Sequence, residues 1–283
     1  MKMGKASLIA LWLSLAICPS NVQAFQVQTS SRNTVRLFGE VESSSSVTPC
    51  EVPEDINVDE VTSMVGKRGA GGILRSQIVT NSEGDFIPLA SAMGEGTSIV
   101  IFLRHMGWPY CWSYANDWCK LQPSISDNNI KGPIFVSIGD SEKLNAFLDA
   151  NPNIPRESAF VDDYSFGAYK AMGFQSVTDI DPEVAKEVTM SAPSLTFREF
   201  LKYFSVVGKV SPIPKDMKFG QIPEGVLRLG GTFVVNGEEI IYQWSDRLPG
   251  DHPDIQEVLD LAKETSAQNK QSNKNKWSLS NLF

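Results

Sequence analysis

The spacing of apolar and polar residues changes along this chain in a way that separates strands from helices. Ser76–Thr80 and Phe86–Leu89 flank Asn81-Ser82-Glu83-Gly84-Asp85, and these residue types predict a hairpin. Thr97–Leu103 is a continuous apolar run of strand length, as expected of a central strand buried on both faces. A helix should follow at once: Pro109 suits a first helical position, and Tyr110, Tyr114, Trp118 and Leu121 recur at helical spacing until Pro123. Pro133–Ile138 predicts a strand, Glu142–Asp149 a helix capped by Asp140 or Ser141, Ala159–Val161 a short strand, and Ser165–Met172 a helix closed by Gly173.

From Phe174 to Gly225 the pattern weakens, although Thr196–Val207 reads as a helix. Thr232–Val235 and Glu239–Trp244 around Asn236-Gly237 predict a second hairpin with a type I′ turn. Asp254–Glu264 closes the domain as an amphipathic helix with Ile255, Val258, Leu259 and Leu261 inward. Strands alternating with helices at this spacing predict βαβ units and a parallel or mixed sheet.

Both ends differ from this middle. Lys2 and Lys5 precede the apolar run Leu8–Cys18 and the small-residue stretch Val22-Gln23-Ala24, which reads as a signal peptide, residues 1–24. Residues 25–39 carry Arg32, Arg36, Ser and Thr with no acidic residue until Glu40, the composition of a transit peptide. Together they resemble the bipartite leaders that deliver proteins through the secretory pathway to complex plastids, with Phe25 directly after the cleavage site; plain secretion is the alternative. Residues 40–53 read as a polar linker, 54–266 as one domain, and 267–283 as a disordered tail.

The composition, 42% hydrophobic and 20% charged, suffices for one sizeable core. A net charge of −8 without Lys/Arg clusters opposes binding to nucleic acid or to an anionic membrane. The cysteines are Cys18, Cys50, Cys111 and Cys119, and cleavage of the leader would leave an odd, sparse set that does not suggest a disulfide scaffold. With two histidines and no Cys-x-x-Cys, neither a metal nor another cofactor is expected.

Trp108-Pro109-Tyr110-Cys111 places a cysteine near the start of a helix, immediately after a strand. Unpaired amides and the positive end of the helix dipole favour a thiolate there, and Arg104 and His105 add positive potential. Two segments carry a resemblance: Phe102-Leu103-Arg104-His105-Met106-Gly107-Trp108-Pro109-Tyr110-Cys111, and Leu229-Gly230-Gly231-Thr232-Phe233-Val234-Val235. With Asp246-Arg247 and Gly250-Asp251-His252-Pro253 they resemble the peroxiredoxin-like 2 (AhpC/TSA antioxidant) family over roughly residues 70–265. That resemblance implies a thioredoxin-like α/β fold, a central mixed sheet flanked by helices. It implies thiol-dependent reduction of hydroperoxides or related oxygenated lipids, with electrons from thioredoxin or another dithiol donor.

By the same resemblance Cys111 is the nucleophile, with Arg104 as electrostatic support and Thr232 as a hydrogen-bond donor. Trp108, Tyr110 and Gly231 are read as a substrate pocket from the aromatic crowding around the loop, the alternative being that these aromatics pack in the core. The sequence departs from the family at Trp108, where members often carry the first cysteine of a pair, so an internal dithiol cycle at this loop is unavailable. It departs again at Gly230, where peroxiredoxins proper usually have an arginine that Arg228 or Arg104 would have to replace. Cys119 lies eight residues beyond Cys111, about 12 Å along a helix, too far to resolve a sulfenic acid, and reads as core. Cys50 on the linker is the candidate resolving thiol, against the alternative of an idle exposed cysteine. Two other readings stand beside the peroxidase: a catalytically inactive thioredoxin-fold binding module with Cys111 as a structural cysteine, and a lipid endoperoxide reductase.

Overall fold

The computed structural model describes residues 63–180, 195–213 and 221–280. These belong to one compact unit, Asp59–Phe283. The leader, the linker and Cys50 lie outside the described residues.

Seven strands form one sheet in the order β2-β1-β5-β4-β3-β6-β7. Its centre is β3 (Thr97–Phe102), every residue of which is buried. The uninterrupted apolar run therefore has the meaning assigned to it: neighbours on both edges and packing on both faces. β3 runs parallel to β4 (Lys131–Ile138), which runs parallel to β5 (Ala159–Asp162). On the other side β3 is antiparallel to β6 (Gly231–Asn236), itself paired with β7 (Glu239–Ser245). The first hairpin, β1 (Ile78–Thr80) and β2 (Phe86–Pro88), joins through an antiparallel contact of Thr80 with Val161. Parallel strands joined through helices, then an antiparallel hairpin and a closing helix, make this a thioredoxin-like α/β fold.

The helices fill the expected gaps and add four short ones. In chain order they are α1 (Ala70–Ser76), α2 (Ala90–Met93), α3 (Pro109–Lys120), α4 (Gln122–Asp127), α5 (Ser141–Ala150), α6 (Gly167–Ala171), α7 (Phe197–Val210), α8 (Glu224–Leu227) and α9 (Ile255–Ser280). Asp140 caps α5 by accepting from Lys143 N–H. Thr196 and Glu199 form a reciprocal capping box on α7. Asp162 at the end of β5 accepts the Ala168 and Tyr169 amides at 2.8 and 3.2 Å, fixing where α6 begins.

Two sequence readings need correction. The β6–β7 turn is Gly237-Glu238, with positive φ at Gly237 (58°) and not at Asn236 or Glu238. It therefore has the type II′ pattern and not I′, because Asn236 stays in the ladder opposite Glu239. The last helix does not stop near Glu264 but continues to Ser280. Polar anchors that a hydrophobic pattern does not reveal hold it: Ser266 donates to Asn128 C=O at 2.7 Å, and Asn269 exchanges bonds with Asn236 at 2.7 and 3.1 Å.

Phe102 sits at the centre of one face, with the rings of Tyr169 and Phe174 at 5.1 Å and Phe233 at 5.9 Å. Burying each such ring contributes roughly 1.5–3 kcal/mol. The same register that builds this core brings Phe102, Gly231 and Ser245 abreast. The segments that leave or enter the sheet there, 103–108, 228–230 and 246–252, therefore meet at one edge.

Candidate active site

The loop after β3 ends where proline chemistry dictates. Trp108 is extended (φ −107°, ψ 125°), as a residue before proline prefers, and Pro109 opens α3. Cys111 is thus the third residue of the helix, and all of Phe102–Trp108 is buried. Side chains distant in sequence hold the loop: Tyr169 Oη donates to Leu103 C=O, Tyr203 Oη donates to Gly107 C=O at 3.0 Å, and Trp112 Nε1 donates to Met106 C=O.

The sulfur of Cys111 accepts from the backbone N–H groups of His105 and Arg104, and the Arg104 guanidinium adds positive potential. Each of these favours a thiolate, as the position near a helix start does. They lose to burial. Cys111 is 0% exposed, and removal from water, aided by the negative Asp246, pushes its thiol up to about 11. The expectation of an ionised, open sulfur is corrected: in this conformation Cys111 is a protonated, enclosed thiol.

Arg104 is also buried, which lowers its guanidinium to about 10 against the pull of Cys111 and Asp246, leaving it cationic at neutral pH. It lies over the Trp108 ring at 4.7 Å, and Nη2 donates to Val226 C=O. Its Nε and Nη1 atoms have no hydrogen-bond partner among the described residues. His105 does not supply the positive charge expected of it. Its Nδ1 accepts Gly107 N–H at 3.1 Å, so that nitrogen carries no proton, and burial followed by Arg104 holds the ring well below its ordinary titration range.

The other sequence candidates divide. Thr232 is buried on β6, but its hydroxyl shares a 3.1 Å hydrogen bond with Tyr114 Oη. Trp108 stacks on Tyr110 at 5.7 Å, and its indole N–H has no partner among the described residues. Gly231 and Gly230 answer to packing: a Cβ at 231 would lie 2.2 Å from Trp244 C=O, and one at 230 would lie 2.0 Å from Phe102 C=O. A larger side chain is therefore excluded at position 230. Of the two proposed substitutes, Arg104 stands beside the sulfur, whereas Arg228 pairs with Glu224 at 2.6 Å. Cys119 is half-buried and not fully core; burial pushes its thiol up to about 11, and it lines a cavity of about 320 Å³ with Ser113 and Glu199.

Asp246 and His252 were legible only as part of a motif, and no role was assigned to them. Asp246 is fixed by its N–H donating to Gly230 C=O at 2.9 Å, and its carboxylate lies 3.5 Å from His252 Nδ1. Burial raises the Asp246 carboxyl above its usual range, and His252 opposes this. His252 stacks on Tyr114 with centroids 4.1 Å apart. Asp246 Oδ1 and His252 Nε2 also lack partners among the described residues. Of these groups, Arg104 and Asp246 act electrostatically on the Cys111 sulfur while each keeps an unpaired buried polar atom among the described residues, whereas folded proteins pair nearly all such atoms. Among the described residues no cluster of three or more His, Cys, Asp or Glu side chains offers a metal site.

No family model matches the chain. Among solved structures, Xanthomonas campestris peroxiredoxin Q matches with a TM-score of 0.43 and 12% identity, covering 69% of this chain and 94% of that one. Mycobacterium tuberculosis peroxidoxin BcpB matches with a TM-score of 0.41 and 11% identity, covering 66% and 92%. The prostamide/prostaglandin F synthase of Xenopus tropicalis is 26% identical over 197 residues, 67% of this chain and 88% of that protein. The Xenopus laevis prostamide/prostaglandin F synthase is 27% identical over 211 residues, 72% of this chain and 93% of that protein, and the chain is thus similar to such a synthase over most of both lengths.

Proposed function

We propose that this protein is a thiol-dependent oxidoreductase of the peroxiredoxin-like 2 kind, reducing hydroperoxides or related oxygenated lipids at Cys111. The observation that carries this is the buried Arg104 guanidinium beside the sulfur with Nε and Nη1 unpaired among the described residues. A buried cation with vacant donors is costly to leave unsatisfied, and it suits an electron-rich oxygen held against the thiol. In the reaction the sulfur attacks one peroxide oxygen and the O–O bond breaks. The thiol proton goes to the departing oxygen, and the products are Cys–SOH and an alcohol. A dithiol donor such as thioredoxin then forms a mixed disulfide with release of water. Its second thiol frees Cys111 and leaves as the donor's disulfide. Because the sulfur is enclosed, turnover requires the site to open.

The test is consumption of cumene hydroperoxide, and separately of a lipid endoperoxide, by purified protein with a dithiol. Cys111→Ser should fall to the uncatalysed rate while Cys119→Ser keeps activity; equal rates for wild type and Cys111→Ser refute the proposal. The endoperoxide arm is included because the similar Xenopus proteins are named prostamide/prostaglandin F synthases. A second reading, an inactive binding module, is favoured by the full burial of Cys111 and its raised thiol. Inactivity of wild type toward both substrates would select it. We also propose delivery to the plastid through residues 1–39. A fluorescent protein carrying them should enter plastids of a complex-plastid alga, and secretion into the medium would contradict this.

A further inference from the structure

We propose that α7 docks on the surface of an anionic lipid bilayer. The inference stands independently of catalysis, because it rests on a helix face left exposed among the described residues. Tyr203 and Val210 are buried, and α7 packs against α5. At about 100° per residue, Phe197, Phe200, Leu201 and Phe204 share an arc of about 100° on a different side. There Phe197 is 76% exposed, Leu201 55% and Phe200 40%. Such a row of large apolar side chains in water calls for a covering surface.

The charges beside that row indicate which surface. Arg198, Lys202 and Lys209 are exposed and fall within about 40° of one another on the flank adjoining the apolar arc. The acidic Glu199 lies outside that flank and is bound to Thr196 in the capping box. Aromatic and leucine side chains bordered by long cations whose stems can lie along the acyl boundary define an interfacial helix on anionic lipid. The net charge of −8 opposes attraction of the whole chain to anionic lipid, but the helix brings these three cations, separate in sequence, onto one flank where they act locally. None of the helices among the described residues is long and apolar enough to cross a membrane, so contact along one face is the geometry offered.

The placement has a consequence for the site. The same helix donates Tyr203 Oη to Gly107 C=O in the cysteine loop and sets its ring edge-on to Trp112 at 5.5 Å. Docking would hold the Cys111 loop one helix away from the lipid.

The experiment is co-sedimentation of the full chain with vesicles of phosphatidylcholine alone or with 30% phosphatidylserine, combined with hydroxyl-radical footprinting read by mass spectrometry. Serine-containing vesicles should pellet the protein and shield Phe197, Phe200 and Leu201 from oxidation. The triple variant Phe197→Ser/Phe200→Ser/Leu201→Ser should lower the partition coefficient at least ~10-fold. The reversal Arg198→Glu/Lys202→Glu/Lys209→Glu should do the same on the anionic vesicles only. Circular dichroism verifies that both variants are folded, and variants of fewer positions replace any that is not. Failure to pellet overturns the proposal, and so does pelleting without shielding of these three side chains. Side chains already shielded before vesicles are added would show that protein covers the face, which also overturns it.

Discussion

The balance of forces on Cys111 can be read from how its reactivity depends on pH. With the thiol at about 11, roughly one molecule in 10⁴ is thiolate at pH 7, against about one in 10² for a cysteine titrating at the reference value of 9.0. Ionisation alone should therefore slow alkylation by iodoacetamide at pH 7 ~100-fold relative to an ordinary cysteine, and closure of the site slows it further. The logarithm of the rate at Cys111, followed by mass spectrometry, should rise by one per pH unit from 7 to 10 without a plateau. Two variants test the causes by sign. Asp246→Asn removes the negative neighbour that opposes ionisation and should speed alkylation. Arg104→Gln removes the cation and should slow it. A plateau below pH 8 in the wild type, or movement of both variants in the same direction, would refute this reasoning.

Other outcomes follow from single features of the structure. Asp162, buried at the start of α6, has its carboxyl raised to about 6 from 3.8. The folded state therefore binds more protons between those values, and the Asp162 contribution is fully present below pH 4 and lost as pH rises through 6. That amounts to about 3 kcal/mol, and urea titrations from pH 4 to 7 should show the decline in wild type and not in Asp162→Asn. Gly230→Ala forces a Cβ to 2.0 Å from Phe102 C=O; chemical denaturation should show a loss of about 2–3 kcal/mol or more, and a neutral result would contradict the close approach. His252→Ala removes the stack on Tyr114 and the partner of the buried Asp246 carboxylate. It should cost about 1–3 kcal/mol in chemical denaturation by leaving that buried acceptor without its partner, and Asp246→Asn in the same background should recover part of that loss.

Architecture was more legible in the sequence than site chemistry, for identifiable reasons. β3 announces itself because a strand buried on both faces must be apolar throughout, and Pro109 fixes a helix start by its own covalent geometry. Both are local effects. Whether Cys111 is ionised is decided instead by burial, in a site whose loop is held by Tyr169 and Tyr203, residues far along the chain whose approach no motif encodes. The neutral state of His105 depends on its burial and on the neighbouring Arg104, and folding turns a backbone N–H two residues away toward its Nδ1. Asp246 and His252 matter because the β6–β7 hairpin returns them to the sheet edge occupied by the cysteine loop. The extension of α9 to Ser280 uses Asn and Ser as anchors, which hydrophobic periodicity reads as solvent-facing.

The most direct measurement is to treat the protein with one equivalent of hydroperoxide, trap sulfenic acid with dimedone, and map the adduct by mass spectrometry. The adduct should sit on Cys111, vanish in Cys111→Ser, and weaken strongly in Arg104→Gln. An adduct confined to Cys119 or Cys50, or none at any cysteine while added free thiol is oxidised normally, would contradict the assignment of Cys111 as the reacting sulfur.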